Sequence, residues 1–198
     1  MSPVSSKDVV ALRQKTGLGM MDCKRALEAV EGDFEKAVDY LRTKGIAKGE
    51  ARSGRSMGEG LVESYIHPGG RIGVLLEIAC ETDFVSRSDI FKEMVHHIAM
   101  HIAAAAPLYV NQKDVPQDKI DREMNIYREQ ILAENKPANL VDKIAEGKLK
   151  KFFKENCLEE QPFIIDADKT IKDVVLEAVS RLKENINIRR FSRFALGD

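Results

Sequence analysis

Few side chains in this sequence stand at the spacings that chemistry needs. His97 and His101 lie four residues apart, which puts both imidazoles on one helix face, half of what a zinc site requires. The zinc-protease pattern also needs glutamate directly after the first histidine, and Ile98 stands there. The run His96-His97-Ile98-Ala99-Met100-His101 sits inside an amphipathic stripe, so a structural place beside the core is preferred over a metal site. Two glycine patterns approach nucleotide-binding loops and fail. Gly49-Glu50-Ala51-Arg52-Ser53-Gly54-Arg55-Ser56 has Arg55 where the phosphate loop carries lysine, and no buried strand precedes it to aim amides at phosphates. Gly17-Leu18-Gly19-Met20-Met21-Asp22 opens like a dinucleotide fingerprint but has Asp22 in place of the third glycine. Cys23, Cys80 and Cys157 have no histidine beside them, so a hydrolytic enzyme fits poorly. Their odd number and wide spacing predict reduced, buried thiols in a cytosolic setting.

Two features point outward instead. Met20-Met21 follows Gly17-Leu18-Gly19, where a helix-to-helix turn is expected, and two adjacent methionines cannot share one helix face. One is therefore expected at the surface, where a thioether suits adaptable protein contacts. Glu81-Thr82-Asp83-Phe84 stands where a strand pattern gives way to a charged loop; its phenylalanine either tucks into its own core or anchors a partner.

These residues need elements to hold them. Ser5 and Asp8 form a candidate capping box for a first helix, which Gly17 stops. Asp22 is the expected cap of a second helix over Cys23–Glu31. Asp33 caps a third, carrying Phe34, Ala37, Val38 and Leu41 and ending near Lys44-Gly45. Three such helices share one small core and resemble a ubiquitin-associated-type bundle. Residues 46–59, rich in Gly, Ser, Lys and Arg, read as an exposed linker or solvated helical tail. A hairpin follows, with strands Leu61–His67 and Arg71–Cys80 about Pro68-Gly69-Gly70; Ile72, Val74, Leu76, Ile78 and Cys80 alternate onto one face. Helical patterns run from Ser88 or Asp89 to Pro107, near 117–134, near 139–156 and near 170–184. A last strand over Asn187–Phe194 completes a three-stranded antiparallel sheet. The expected class is α+β: a three-helix bundle over 1–45, then an α+β core over 60–198.

Composition narrows the function classes. The 198 residues include 31 Lys+Arg against 32 Asp+Glu, so the net charge of -1 argues against a protein built to hold many phosphates. No stretch approaches the length of a membrane span, and the first eight residues lack a secretory apolar core.

Leu12-Arg13-Gln14-Lys15-Thr16-Gly17-Leu18-Gly19-Met20-Met21-Asp22-Cys23-Lys24-Arg25-Ala26-Leu27 resembles the N-terminal signature of the bacterial translation elongation factor Ts family. Cys80-Glu81-Thr82-Asp83-Phe84-Val85 is similar to that family's Thr-Asp-Phe loop. Gln161-Pro162-Phe163 and Glu184-Asn185-Ile186-Asn187-Ile188-Arg189-Arg190 extend the likeness over nearly the whole chain, in the family's order. The resemblance implies a cytoplasmic guanine nucleotide exchange factor for elongation factor Tu, not an enzyme, with GDP, GTP and Mg²⁺ belonging to the partner and no cofactor of its own. It carries docking onto Arg13, Met20 and Met21, and intrusion near the Mg²⁺ and phosphate site onto Thr82, Asp83, Phe84 and Val85. His67 takes a far contact, and Leu182 is a weaker carry-over. One copy of the hairpin-and-helix pattern is present, as in the family's short members, which act as homodimers; the interfacial cysteine some of them carry is missing from Ile186–Leu196. Two competing readings stand beside this one. An RNA- or ribosome-associated adaptor would use Arg42–Arg55 with Arg189, Arg190 and Arg193, and a metal-dependent hydrolase would use His97 and His101.

Overall fold

The computed structural model describes residues 4–50, 57–134 and 136–198. Its architecture is mixed α+β as expected: three N-terminal helices, then a three-stranded antiparallel sheet with helices.

Helix α1 (Ser6–Thr16) starts where the Ser5 hydroxyl accepts from the Lys7 amide at 3.1 Å. It ends at Gly17, whose φ of 69° is the left-handed turn that glycine adopts freely. Helix α2 (Met20–Ala29) begins at Met20 and not at Cys23. Gly19 takes the cap position, and its carbonyl accepts from the Asp22 and Cys23 amides at 3.0 Å. Asp22 then sits in the first turn, where its charge favours the positive helix end and meets Arg25 at 2.7 Å. Helix α3 (Phe34–Glu50) starts from Asp33, whose carboxylate accepts from the Lys36 amide at 3.0 Å; that bond holds the Asp33 carboxyl below its ordinary range. This helix continues past Lys44-Gly45, where it was expected to stop. One glycine inside a helix costs about 1 kcal/mol relative to alanine, too little to end it. Val9, Leu12, Cys23, Ala26, Leu27, Ala37 and Leu41 close one shared core. Residues 51–56 of the expected linker, with Arg52 and Arg55, lie outside the described residues.

The sheet has the order β1 (Glu59–Ile66), β2 (Ile72–Cys80), β3 (Ile186–Ala195). The β1–β2 turn closes with the His67 amide donating to the Ile72 carbonyl at 2.9 Å. Along β2 the predicted alternation holds from Val74 to Ile78, where Val74, Leu76 and Ile78 are buried and Leu75 faces out; Ile72 is only half-buried, and Ala79 on the other face is buried beside Cys80. Gly60 in β1 has φ 153°, and a methyl group there would lie 2.2 Å from the Ile78 carbonyl oxygen, so only glycine lets the strands approach.

The remaining helices are α4 (Asp83–Ser86), α5 (Asp89–Ala105), α6 (Gln117–Ala133), α7 (Ala138–Asn156) and α8 (Ile171–Leu182). Phe91, Met94, Val95, Ile98 and Ile102 form the buried stripe of α5. The described residues fall into two compact units. One draws on Met1–Leu61, Ile78–Met94 and Asp173–Asn187, and the other on Val62–Glu77, Val95–Lys172 and Ile188–Asp198. In the second, α6 and α7 pack as a helical pair around Ile131, Val141 and Ala145.

Candidate functional site

Within the first unit, the segment after β2 is a built loop. Thr82 has extended backbone (φ −131°, ψ 156°) and caps the single-turn helix α4, its hydroxyl oxygen facing the Val85 amide at 3.4 Å. The Ser86 hydroxyl donates to the Asp83 carbonyl at 2.9 Å, and the Cys80 thiol donates to the Thr82 carbonyl at 3.2 Å. Val85 and Ser86 are buried, so they seat the loop. Phe84 does the opposite: it is 82% exposed. Asp83 is exposed and pairs with Arg87 at 3.1 Å, a surface contact of small energetic weight.

The residues joining α8 to β3 hold this loop from the far end of the sequence. Glu184 accepts from the Thr82 amide at 3.0 Å and from the Thr82 hydroxyl at 2.6 Å. Glu81 accepts from the Asn185 amide at 2.8 Å. The corner is made by Lys183, a non-glycine residue at φ 61° whose amide closes on the Val179 carbonyl at 2.9 Å. No local pattern signals these pairings, because the partners stand about a hundred positions apart in the chain.

The three helices are tied to the same junction. A methyl group on Gly17 would lie 2.7 Å from Nε of Arg181, so the α1–α2 turn rests against the end of α8. Asp173 of α8 accepts a hydrogen bond from Arg42 of α3. Met20 and Met21 occupy the first turn of α2 and are 40% and 62% exposed, so both face outward where one was expected. Arg13 is exposed on α1, and Leu182 is half-buried at the end of α8.

In the second unit, His67 is exposed at the hairpin, with Nδ1 3.0 Å from the Tyr65 hydroxyl. The Tyr65 ring meets His96 edge-on at 5.7 Å, and His96 Nδ1 lies 3.0 Å from the Glu63 carboxylate. His101 is 1% exposed, and its Nε2 is 2.9 Å from the Gln161 side-chain oxygen. That places His101 at the core, as the stripe predicts. No group of three or more His, Cys, Asp or Glu placed to hold a metal ion occurs among the described residues.

One face of this unit's strands is apolar and open. Val62, Ile66, Leu75, Phe194 and Leu196 are each half or more exposed. Alternation places the first four on one side, and Leu196 follows the end of β3. Ile66 reaches within 3.1 Å of where a methyl on Gly73 would sit, and Arg190 joins Glu77 at 2.6 Å on the same side. Arg193, of opposite parity, donates to the Ala103 carbonyl of α5 at 3.2 Å.

All three cysteines are free and buried, as expected from their spacing. Burial pushes the Cys157 thiol up to about 11 and the Cys80 thiol upward as well. Gly54-Arg55-Ser56-Met57-Gly58 has the spacing of a nucleophile elbow, which corrects the expectation that the chain holds no such motif. That turn needs a strand before it and a helix after it; here α3 precedes and β1 follows. No helix among the described residues is long and apolar enough to cross a membrane.

The family model described as Elongation factor TS matches residues 49–198. The Elongation factor Ts of Carboxydothermus hydrogenoformans is 57% identical over 195 residues, covering 98% of this chain and 90% of its own. That of Desulfosudis oleivorans is 54% identical over 198 residues, the full length of both chains. That of Caldanaerobacter subterraneus is 54% identical over 195 residues, 98% of each chain.

Proposed function

This chain belongs to the elongation factor Ts family, and from that premise we propose that it is a guanine nucleotide exchange factor for elongation factor Tu in translation elongation. It releases GDP by pushing the Thr82-Asp83-Phe84 loop toward the partner's Mg²⁺ and phosphate site. The observation that carries this reading is Phe84, a large aromatic held out in solvent on a capped, hydrogen-bonded turn. A free loop would fold such a ring inward to shed its apolar surface, so an outward ring on a fixed turn is suited to entering another protein.

The thermodynamics need more than one ring. Factor and nucleotide weaken each other's binding by the same ratio. A shift of 10⁴ takes about 5.5 kcal/mol of differential affinity. Burying one phenylalanine yields roughly 1.5–3 kcal/mol, so Phe84 must be backed by contacts elsewhere. Arg13, Met20 and Met21 on residues 1–45 supply the docking foot, Leu182 adds to it, and His67 makes the far contact. Val85 serves by seating the loop. No covalent bond is made or broken, so the chain is not an enzyme; GDP, GTP and Mg²⁺ are the partner's. The setting is the cytoplasm.

The core over 60–198 pairs with a second copy. The open apolar side formed by Val62, Ile66, Leu75, Phe194 and Leu196 supports a homodimer without an interchain disulfide, since a patch of this kind marks an interface.

The deciding experiment follows release of fluorescent GDP from elongation factor Tu with and without this chain, over a range of chain concentrations. Acceleration is expected. Release at the spontaneous rate would overturn the reading.

A further inference from the structure

We propose that Glu184 is a positioning residue for the Phe84 wedge, with Glu81 as its counterpart across the same junction. This rests on the exchange reading above. A four-residue helix cannot hold itself, because nucleation fixes several torsions for one backbone bond. What fixes α4 lies outside it. Thr82 has two donors, its amide and its hydroxyl, and Glu184 takes both. Committing the hydroxyl proton to Glu184 turns an oxygen lone pair toward the Val85 amide, which is the cap that starts α4. Glu81, one residue earlier, accepts from Asn185, one residue later. The two contacts therefore lock a pair of adjacent residues to a pair of adjacent residues, and in each the acceptor is a carboxylate, that of Glu184 for Thr82 and that of Glu81 for Asn185. Such charge-assisted bonds are shorter and roughly twice as strong as neutral ones.

The junction also refers the wedge to the foot. Arg181 abuts Gly17, just before the methionine-bearing turn of α2, and Glu184 grips Thr82, just before Phe84. Met20, Met21 and Phe84 thus take their placement from one short stretch, Arg181–Asn185, inside a single unit. Asp83–Arg87 cannot substitute, being an exposed pair within α4 and its end. The role of Glu184 is to fix where Phe84 points; it touches neither nucleotide nor partner.

The test compares full-length variants in the fluorescent GDP-release assay, reading the maximal release rate and the concentration giving half of it. Glu184→Gln keeps size and loses the second acceptor site. It should lower the maximal rate by about tenfold while leaving the half-maximal concentration in place, the signature of lost orientation. Thr82→Val should match it, Thr82→Ser should recover most of the loss, and the double variant Thr82→Val/Glu184→Gln should be no worse than either alone. Circular dichroism checks folding; if Glu184→Gln fails to fold, Thr82→Val and Glu81→Gln carry the comparison. A wild-type rate in Glu184→Gln alongside a slow Phe84→Ala would overturn this inference and leave the exchange reading standing. Equal losses of rate and half-maximal concentration would reduce Glu184 to scaffold and overturn it too. If the wild-type chain fails to accelerate release, both fall.

Discussion

His101 Nε2 lies 2.9 Å from the side-chain oxygen of Gln161, and its Nδ1 has no hydrogen-bond partner among the described residues. The Gln161 amide nitrogen donates to the Glu155 carbonyl at 2.8 Å, which leaves its oxygen to accept from His101. Nε2 therefore carries a proton and donates it to Gln161. Burial lowers the imidazole's pKa from the ordinary 6.5, against the opposing pull of Gln161. The unfolded chain therefore binds a proton that the folded one refuses, so stability rises with pH across that window. The melting temperature should fall as pH drops below about 6.5, and the fall should be smaller in His101→Gln. Identical pH profiles for the two proteins would refute this.

Phe84→Ala should slow GDP release more than it weakens the complex with elongation factor Tu, with release falling by about tenfold or more if the ring's burial of 1.5–3 kcal/mol is realised only in the distorted state. Met20→Ala and Met21→Ala should weaken both if, as proposed, they dock on the partner in every state. Titration calorimetry beside the release assay separates them. Phe84→Ala should leave the melting temperature unchanged, since the ring is almost wholly exposed.

Leu75→Glu should convert a dimer to monomers in sedimentation equilibrium, with little loss of folding, because Leu75 points away from the buried side of β2. Like charges meeting across the interface would oppose pairing. A monomeric wild-type chain at micromolar concentration would remove the homodimer from the proposal.

Gly60→Ala should destabilise the fold by about 3 kcal/mol or more, combining a disfavoured backbone with overpacking. The added methyl would meet the Ile78 carbonyl oxygen, a backbone atom that cannot swing aside. Gly32→Ala has φ 87° but open space around it, so it should cost less. Urea unfolding of the two variants gives the comparison.

Native protein at pH 8 should react slowly with a thiol reagent, releasing three equivalents only when unfolded, because Cys23, Cys80 and Cys157 are all buried and the Cys157 thiol is pushed up to about 11. A rapid native equivalent would show that one of them opens readily to solvent.

Much of the fold is legible in sequence because its signals are local. Strict alternation from Ile72 to Cys80 gives a strand and its buried side, and Gly17 and Asp33 mark helix ends by backbone conformation and side-chain capping. Less local facts are misread. Asp22 offers a cap, yet Gly19 takes the position and moves α2 back to Met20. Gly45 looks like a stop, yet a helix absorbs it. Helix α4 is too short for any period to show. At the candidate site, Phe84 and the methionines stand out by type and place, whereas the hold of Glu184 on Thr82 needs the chain to be folded first. Alternation in β1 and β3 shows that two sides exist, but only the structure shows that the side bearing Val62 and Phe194 is open.

A turn that is already formed also changes the speed of encounter. Because Thr82 and its bonds set α4 before any partner arrives, the aromatic tip has little left to freeze on contact beyond its own side-chain rotation, about 0.5–1.5 kcal/mol. Association then need not wait for a segment to order itself, and it can proceed at the pace of orientation alone. A factor that must visit one GTPase after another gains turnover from that readiness, while its solitary form carries a greasy tip through water.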